Sequence, residues 1–139
     1  MTLELTPFRR AIAQLEAGLA TAGQRPDEDI VRDGVIQRFE YVYELAWKML
    51  RRHLEIVNPS RETVEALSFP SLIRTGCEQG LIRSGWDDWS RFRDARGTTS
   101  HTYDREKAAQ VFAIVPAFLD EARFLLERLE AHHEPPDRP

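Results

Sequence analysis

Cysteine is almost missing from this chain. Cys77 stands alone, so neither an internal disulfide nor a cysteine cage for zinc is available. Lysine is nearly as scarce, with Lys48 and Lys107 the only two. A surplus of positive charge is missing as well. The net charge is -4, which argues against the broad basic face of a duplex-DNA binder. What positive charge there is comes mainly from arginine, whose planar fork suits phosphate, so a few grouped arginines still suffice to hold RNA. No run approaches the ~20 apolar residues that span a bilayer. The first residues, Met1 to Leu19, carry Arg9, Arg10 and Glu16 and lack the continuous apolar stretch of a signal peptide. The expectation is a cytoplasmic protein without a membrane partner. Period-2 alternation rich in β-branched residues is also absent, which leaves no candidate strand.

What remains is helical. The chain has 139 residues, 42% apolar and 30% charged, enough to build one globular domain with a real core. We assign residues 1–133 to a single helical domain and 134–139, Glu-Pro-Pro-Asp-Arg-Pro, to a disordered tail. A first helix is expected from Thr6, with Thr6 as its cap and Pro7 in the first helical position. Phe8, Ile12, Leu15 and Leu19 recur at helical spacing, and Gly23 and Pro26 end the segment.

The second helix should be the longest, from about Asp29 to about Val57, roughly 40 Å at 1.5 Å per residue. Its apolar stripe is Val35, Phe39, Val42, Tyr43, Ala46, Leu50 and Leu54, flanked by a polar stripe of Glu40, Glu44 and Lys48. Residues 59–68 read as a connector or short helical turn. A third helix starts near Ser68 and stops at Gly80; Leu81 and Ile82 then pack inward. A fourth opens at Ser84-Gly85, presents Trp86, Trp89 and Phe92, and ends near Arg96, with Gly97 as its left-handed terminator. A fifth is capped by Asp104 and carries Ala108, Val111, Phe112, Val115, Leu119, Ala122, Leu126 and Leu129, with Pro116 expected to kink it. The fold class is therefore all-α, an up-and-down bundle of about five helices.

One constellation invites chemistry. Arg96 closes a helix, His101 follows five residues later in the polar turn Gly-Thr-Thr-Ser-His-Thr-Tyr, and Tyr103 precedes the next helix. Histidine ordinarily titrates near pH ~6.5 and exchanges protons at neutral pH. A neighbouring arginine stabilises the charge that builds on a phosphate in the transition state. The start of the following helix adds free N–H groups and a positive dipole end. These are parts enough for RNA cleavage without a metal or cofactor. The same three residues also fit a plain helix–helix loop in which His101 bonds a backbone carbonyl. Spacing alone leaves both readings open.

Other residues carry paired readings too. Glu40 and Glu44 either orient Arg96 or His101 across the bundle or form a solvated stripe. Trp47, Trp86 and Trp89 either stack on bases or pack in a core or dimer face. His53 follows Arg51 and Arg52, and this short basic run reads first as a solvated face. His132-His133 reads as a frayed helix end rather than a metal site, and Cys77 as a small buried hydrophobe. Tyr41, Tyr43 and Trp47 exceed what so small a bundle buries alone, which predicts a homodimer.

The run Phe39-Glu40-Tyr41-Val42-Tyr43-Glu44-Leu45-Ala46-Trp47-Lys48, then Gly80-Leu81-Ile82, Trp86 and Arg96-Gly-Thr-Thr-Ser-His101-Thr-Tyr103-Asp104, resembles the HEPN superfamily. More closely it is similar to HepT-type proteins, also termed nucleotidyltransferase substrate-binding proteins. The likeness extends from about Phe8 to Leu129. It implies a homodimeric bundle in which two Arg-x4-His motifs meet to form a metal-independent ribonuclease cleft acting on transfer or messenger RNA. It further implies a toxin paired, in a type VII-like system, with an MNT-type nucleotidyltransferase antitoxin that transfers AMP onto a tyrosine. Carried over, Arg96 and His101 match the catalytic pair, Tyr103 matches the AMP acceptor, and Glu40, Glu44, Thr99 and Ser100 are the supporting polar residues. One position departs from the pattern: relatives usually have a polar residue, often asparagine, directly after the arginine, where this chain has Gly97. The alternative expectation is a non-catalytic subunit that presents a substrate, or Tyr103 itself, to a separate nucleotidyltransferase.

Overall fold

The computed structural model describes residues 2–134; of the tail expected at 134–139, all but Glu134 lies outside them. Among the described residues there are six α-helices and no strand. They are α1 (Thr6–Gln24), α2 (Asp29–Val57), α3 (Arg61–Glu65), α4 (Phe69–Glu78), α5 (Trp86–Thr98) and α6 (Arg105–His133), with a 3-10 turn at Thr99–His101 between the last two. The all-α expectation holds. The connector after α2 contains the short α3, capped by Ser60, whose hydroxyl accepts from the Thr63 N–H.

Helix α2 is the central member, packed on α1, α3 and α6, and α6 also packs on α1 and α5. The reason is visible in the stripes. Val35, Phe39, Val42, Ala46, Met49 and His53 on α2, and Ala108, Val111, Val115, Phe118, Ala122, Leu125 and Leu129 on α6, are all buried. Both series advance by alternating threes and fours, the spacing that keeps a seam in register between long neighbouring helices. Phe118 sits at the centre. Its ring makes edge contacts with Phe39 at 5.1 Å and Phe92 at 5.3 Å between centroids, each such pair adding about 0.5–1.5 kcal/mol beyond area burial. Phe118 and Leu125 complete the α6 stripe that Phe112 and Leu126, only partly buried, were expected to fill.

Several local expectations are corrected. Thr6 is the first helical residue rather than the cap; Leu5 holds the cap position without a side-chain bond. Gly97 is helical, and the one positive φ among the described residues is at Gly80, 74°. There the chain reverses so that the Leu81 N–H bonds back to the Gly76 carbonyl at 2.8 Å, and Leu81 and Ile82 drop into the core. Helix α6 spans Arg105–His133 with Pro116 inside it. Tyr43 belongs to the core and its phenol is pushed up to about 12, first by burial. Tyr41 is the α2 tyrosine that stays outside, 54% exposed. Cys77 is half-buried, its Sγ 3.2 Å from the Ser84 carbonyl.

The histidines depart furthest from expectation. His53 is buried at the end of the α2 seam rather than solvated, and His133 is docked on it rather than frayed. The Leu3 N–H donates to His133 Nδ1 at 3.2 Å, and His133 Nε2 lies 2.8 Å from His53 Nδ1. With His133 Nδ1 accepting, its proton sits on Nε2 and is donated to His53 Nδ1. The relay ties the N-terminal segment, the end of α6 and α2 together, and it requires both rings neutral. Burial pushes His53 down to about 4, with His132 and His133 adding to the effect, and lowers His133 as well.

Candidate functional site

The last turn of α5 delivers Arg96 to the flank of α2. Its carbonyl accepts the Thr99 hydroxyl at 2.8 Å, and its Nη1 donates back to Thr99 Oγ1 at 3.2 Å. Thr99 is buried, so this double link fixes the arginine from behind. From in front, Glu44 Oε1 lies 3.3 Å from Arg96 Nε and Glu40 Oε2 lies 3.7 Å from Nη1. Glu40 and Glu44 are one turn apart on α2, which puts both carboxylates on one guanidinium. The Nε contact is an ion pair by distance but lacks hydrogen-bond alignment. Both glutamates, partly exposed on α2, contact Arg96.

Downstream, the chain tightens into the 3-10 turn. His101 and Ser100 are exposed on it, and Tyr103 is 84% exposed two residues later, its ring 6.1 Å from that of His101. The Asp104 N–H bonds to the His101 carbonyl at 3.1 Å, and the Asp104 carboxylate then caps α6 by accepting from the Glu106 and Lys107 N–H groups at 2.9 and 3.3 Å. The free donors and positive end expected to attract a phosphate are thus already engaged by a carboxylate. Gly97 is exposed, and nothing lies within 4 Å of a Cβ placed on it. The arrangement presents an arginine of fixed orientation, an accessible imidazole and an accessible phenol within one short segment. That set can bind an anionic group, move a proton and accept a transferred group.

The sequence from residue 3 to residue 131 matches the family described as nucleotidyltransferase substrate binding protein like. The chain belongs to this family. It is 40% identical over 107 residues, covering 77% of this chain and 73% of the relative, to the probable ribonuclease HepT of Haemophilus influenzae. Its fold matches that of HI0074 from Haemophilus influenzae, described as the fold of a substrate binding domain of a nucleotidyltransferase. The TM-score is 0.86 at 36% identity, over 91% of this chain and 99% of the other. A structure from Thermus thermophilus aligns with a TM-score of 0.59 at 31% identity, over 83% of this chain and 98% of its own. Among the described residues no helix of this family member is long and apolar enough to cross a membrane.

Proposed function

We propose that this family member is a HEPN-type endoribonuclease that works as a homodimer and without a metal. Arg96 grips the scissile phosphate. His101 takes the proton from the 2′-hydroxyl, the 2′-oxygen attacks the adjacent phosphorus, and the 5′-oxygen leaves with a proton from a second acid, leaving a cyclic phosphate. The observation that carries this reading is the Arg96 clamp followed at once by an exposed His101. A second copy supplying its own Arg96 and His101 completes the acid and base, and the exposed Tyr41 on α2 supports a further contact on that flank. The relative named probable ribonuclease HepT supports the same chemistry.

In the cell this activity makes the protein a cytoplasmic toxin of a type VII-like pair. Its antitoxin is an MNT-type nucleotidyltransferase that silences it by transferring AMP to Tyr103. The 84% exposure of Tyr103 and its place beside His101 suit both access by a second enzyme and obstruction of RNA once modified. The test is incubation of total RNA with the purified protein in EDTA, beside His101→Ala and Arg96→Ala. Cleavage by the parent alone is the expected result, and equal cleavage by His101→Ala overturns the mechanism.

A specific observation favours a second reading. Two carboxylates already occupy Arg96, and Gly97 adds no side chain to help a phosphate displace them. In that case the chain is a non-catalytic partner presenting a substrate, or Tyr103, to a nucleotidyltransferase. Expression of the chain alone then leaves growth unaffected, whereas the toxin arrests it.

A further inference from the structure

Beside the Arg96 clamp runs a strip in which aromatic rings and cations alternate. The Phe69 ring, at the start of α4, meets Trp47 of α2 at 6.4 Å and Trp86 of α5 at 5.9 Å between centroids, both edge-on. The Arg93 guanidinium stands 5.3 Å from the Phe69 ring centre, and Arg51 and Lys48 stand 5.9 and 5.7 Å from Trp47. All three rings are partly exposed, while Trp89, Phe92 and Tyr43 fill the core behind them. Most of the chain's other well-placed arginines, Arg9, Arg61, Arg96 and Arg123 among them, are neutralised by carboxylates. Among the described residues Lys48, Arg51 and Arg93 have no carboxylate within 4.0 Å.

The strip is continuous with the clamp. Trp47 is three residues beyond Glu44 on α2, and Arg93 is three residues before Arg96 on α5, so each pair shares a helix face. From Trp86 to Arg96 the helix advances about 15 Å, the length of roughly four stacked nucleotides at 3.4 Å each.

We propose that this strip is a stacking platform for unpaired bases of single-stranded RNA, leading the strand to Arg96 and His101. The inference rests on the ribonuclease reading for its endpoint, but binding is separable from cleavage. The partly exposed Trp86 ring, over which no cation lies among the described residues, offers a face to any base, and the cations that lie over Trp47 and Phe69 can swing from those rings to the backbone phosphates. A duplex keeps its bases stacked on one another and cannot use such rings. A second copy of this chain is a poorer occupant, because a two-fold contact centred on the strip sets the cationic patch of Lys48, Arg51 and Arg93 against the same patch of the other copy.

The test uses His101→Ala, which holds RNA without turnover. Binding of a short fluorescent oligoadenylate is measured against salt, with the same sequence as a duplex for comparison. In this background the triple variant Lys48→Gln, Arg51→Gln, Arg93→Gln should bind at least about tenfold more weakly, with the slope of log affinity against log salt smaller by about 2 (three contacts at ~0.7 each). Trp86→Ala should weaken binding by about tenfold, and Trp86→Phe, which keeps a ring and guards against a folding failure, should restore most of it. Unchanged affinity in the triple variant overturns the platform, as do absence of binding by His101→Ala, preference for the duplex, or conversion of a parental dimer to monomer by the triple variant. The ribonuclease reading fails separately: a parent that binds oligoadenylate through the strip yet leaves RNA intact in EDTA keeps the platform and loses the nuclease.

Discussion

Acid should loosen this protein through His53. The ring is 1% exposed, its Nδ1 receives the His133 Nε2–H, and His133 Nδ1 in turn receives the Leu3 N–H. The groups facing it from α6 are His132, with ring centroids 4.8 Å apart, and His133, at 5.0 Å. None of these welcomes a proton on His53. Its pKa falls from 6.5 to about 4 in the folded state. Between those values the unfolded chain binds a proton that the folded chain refuses, so the stability held above about pH 6.5 is lost as pH falls toward 4. The full amplitude is about 3.4 kcal/mol, roughly 2.5 units at 1.36 kcal/mol each. From about pH 7.5 to pH 5 the linkage relation gives about 2 kcal/mol. Lowering of His133 acts in the same direction. The comparison is His53→Asn, whose amide oxygen can take the His133 proton but does not titrate. Urea unfolding at a fixed protein concentration should find the variant less stable near pH 7.5, with the gap closing by about 2 kcal/mol near pH 5. Parallel pH profiles for parent and variant would refute the reasoning.

Three further outcomes follow from the packing. A Cβ on Gly76 would stand 2.7 Å from Ile82 Cγ1 and 3.2 Å from both Leu50 methyls, so Gly76→Ala should cost about 1–3 kcal/mol in chemical denaturation. Gly97→Ala meets open space in a helical conformation and should instead gain about 0.5 kcal/mol, seen as a higher Tm. For the clamp, Glu44→Gln should change stability by less than about 1 kcal/mol because the pair is a third exposed. Combined with Arg96→Ala in a cleavage assay, its loss should be strongly sub-additive; additive losses would mean that Glu44 does not act through Arg96.

The helices could be read before any coordinates because their causes are local. Asp104 caps α6 where its position before an apolar run predicted, α4 begins directly after Ser68, and Gly80 turns the chain where the third helix was expected to stop. The candidate site was legible for a similar reason. Arg96, Thr99, Ser100, His101 and Tyr103 lie within eight residues, and a helix end followed by a tight turn leaves them few places to go. Misreadings came where a stripe continued through an unexpected residue. His53 lies on the three-four spacing that runs Val35, Phe39, Val42, Ala46, Met49, yet its neighbours Arg51 and Arg52 suggested a solvated run. Glu121 is buried on α6, its Oε1 accepting the Ser84 N–H at 2.6 Å, and nothing in its local spacing marks it as the anchor of that loop.

By itself, then, the sequence determined that this chain is helical, where its helices begin and end to within a few residues, which family it belongs to and which loop gathers arginine, histidine and tyrosine. Those properties depend on backbone conformation and on neighbours a few residues away. The tertiary structure alone decided that Glu40 and Glu44 both turn to Arg96, that Asp104 claims the donors of α6, that Tyr43 goes inside while Tyr41 stays out, and that His53 shares a proton with His133 eighty residues away. A helical period says which side chains share a face. Which face meets which, and which buried polar atom finds its partner there, is settled only when the helices pack.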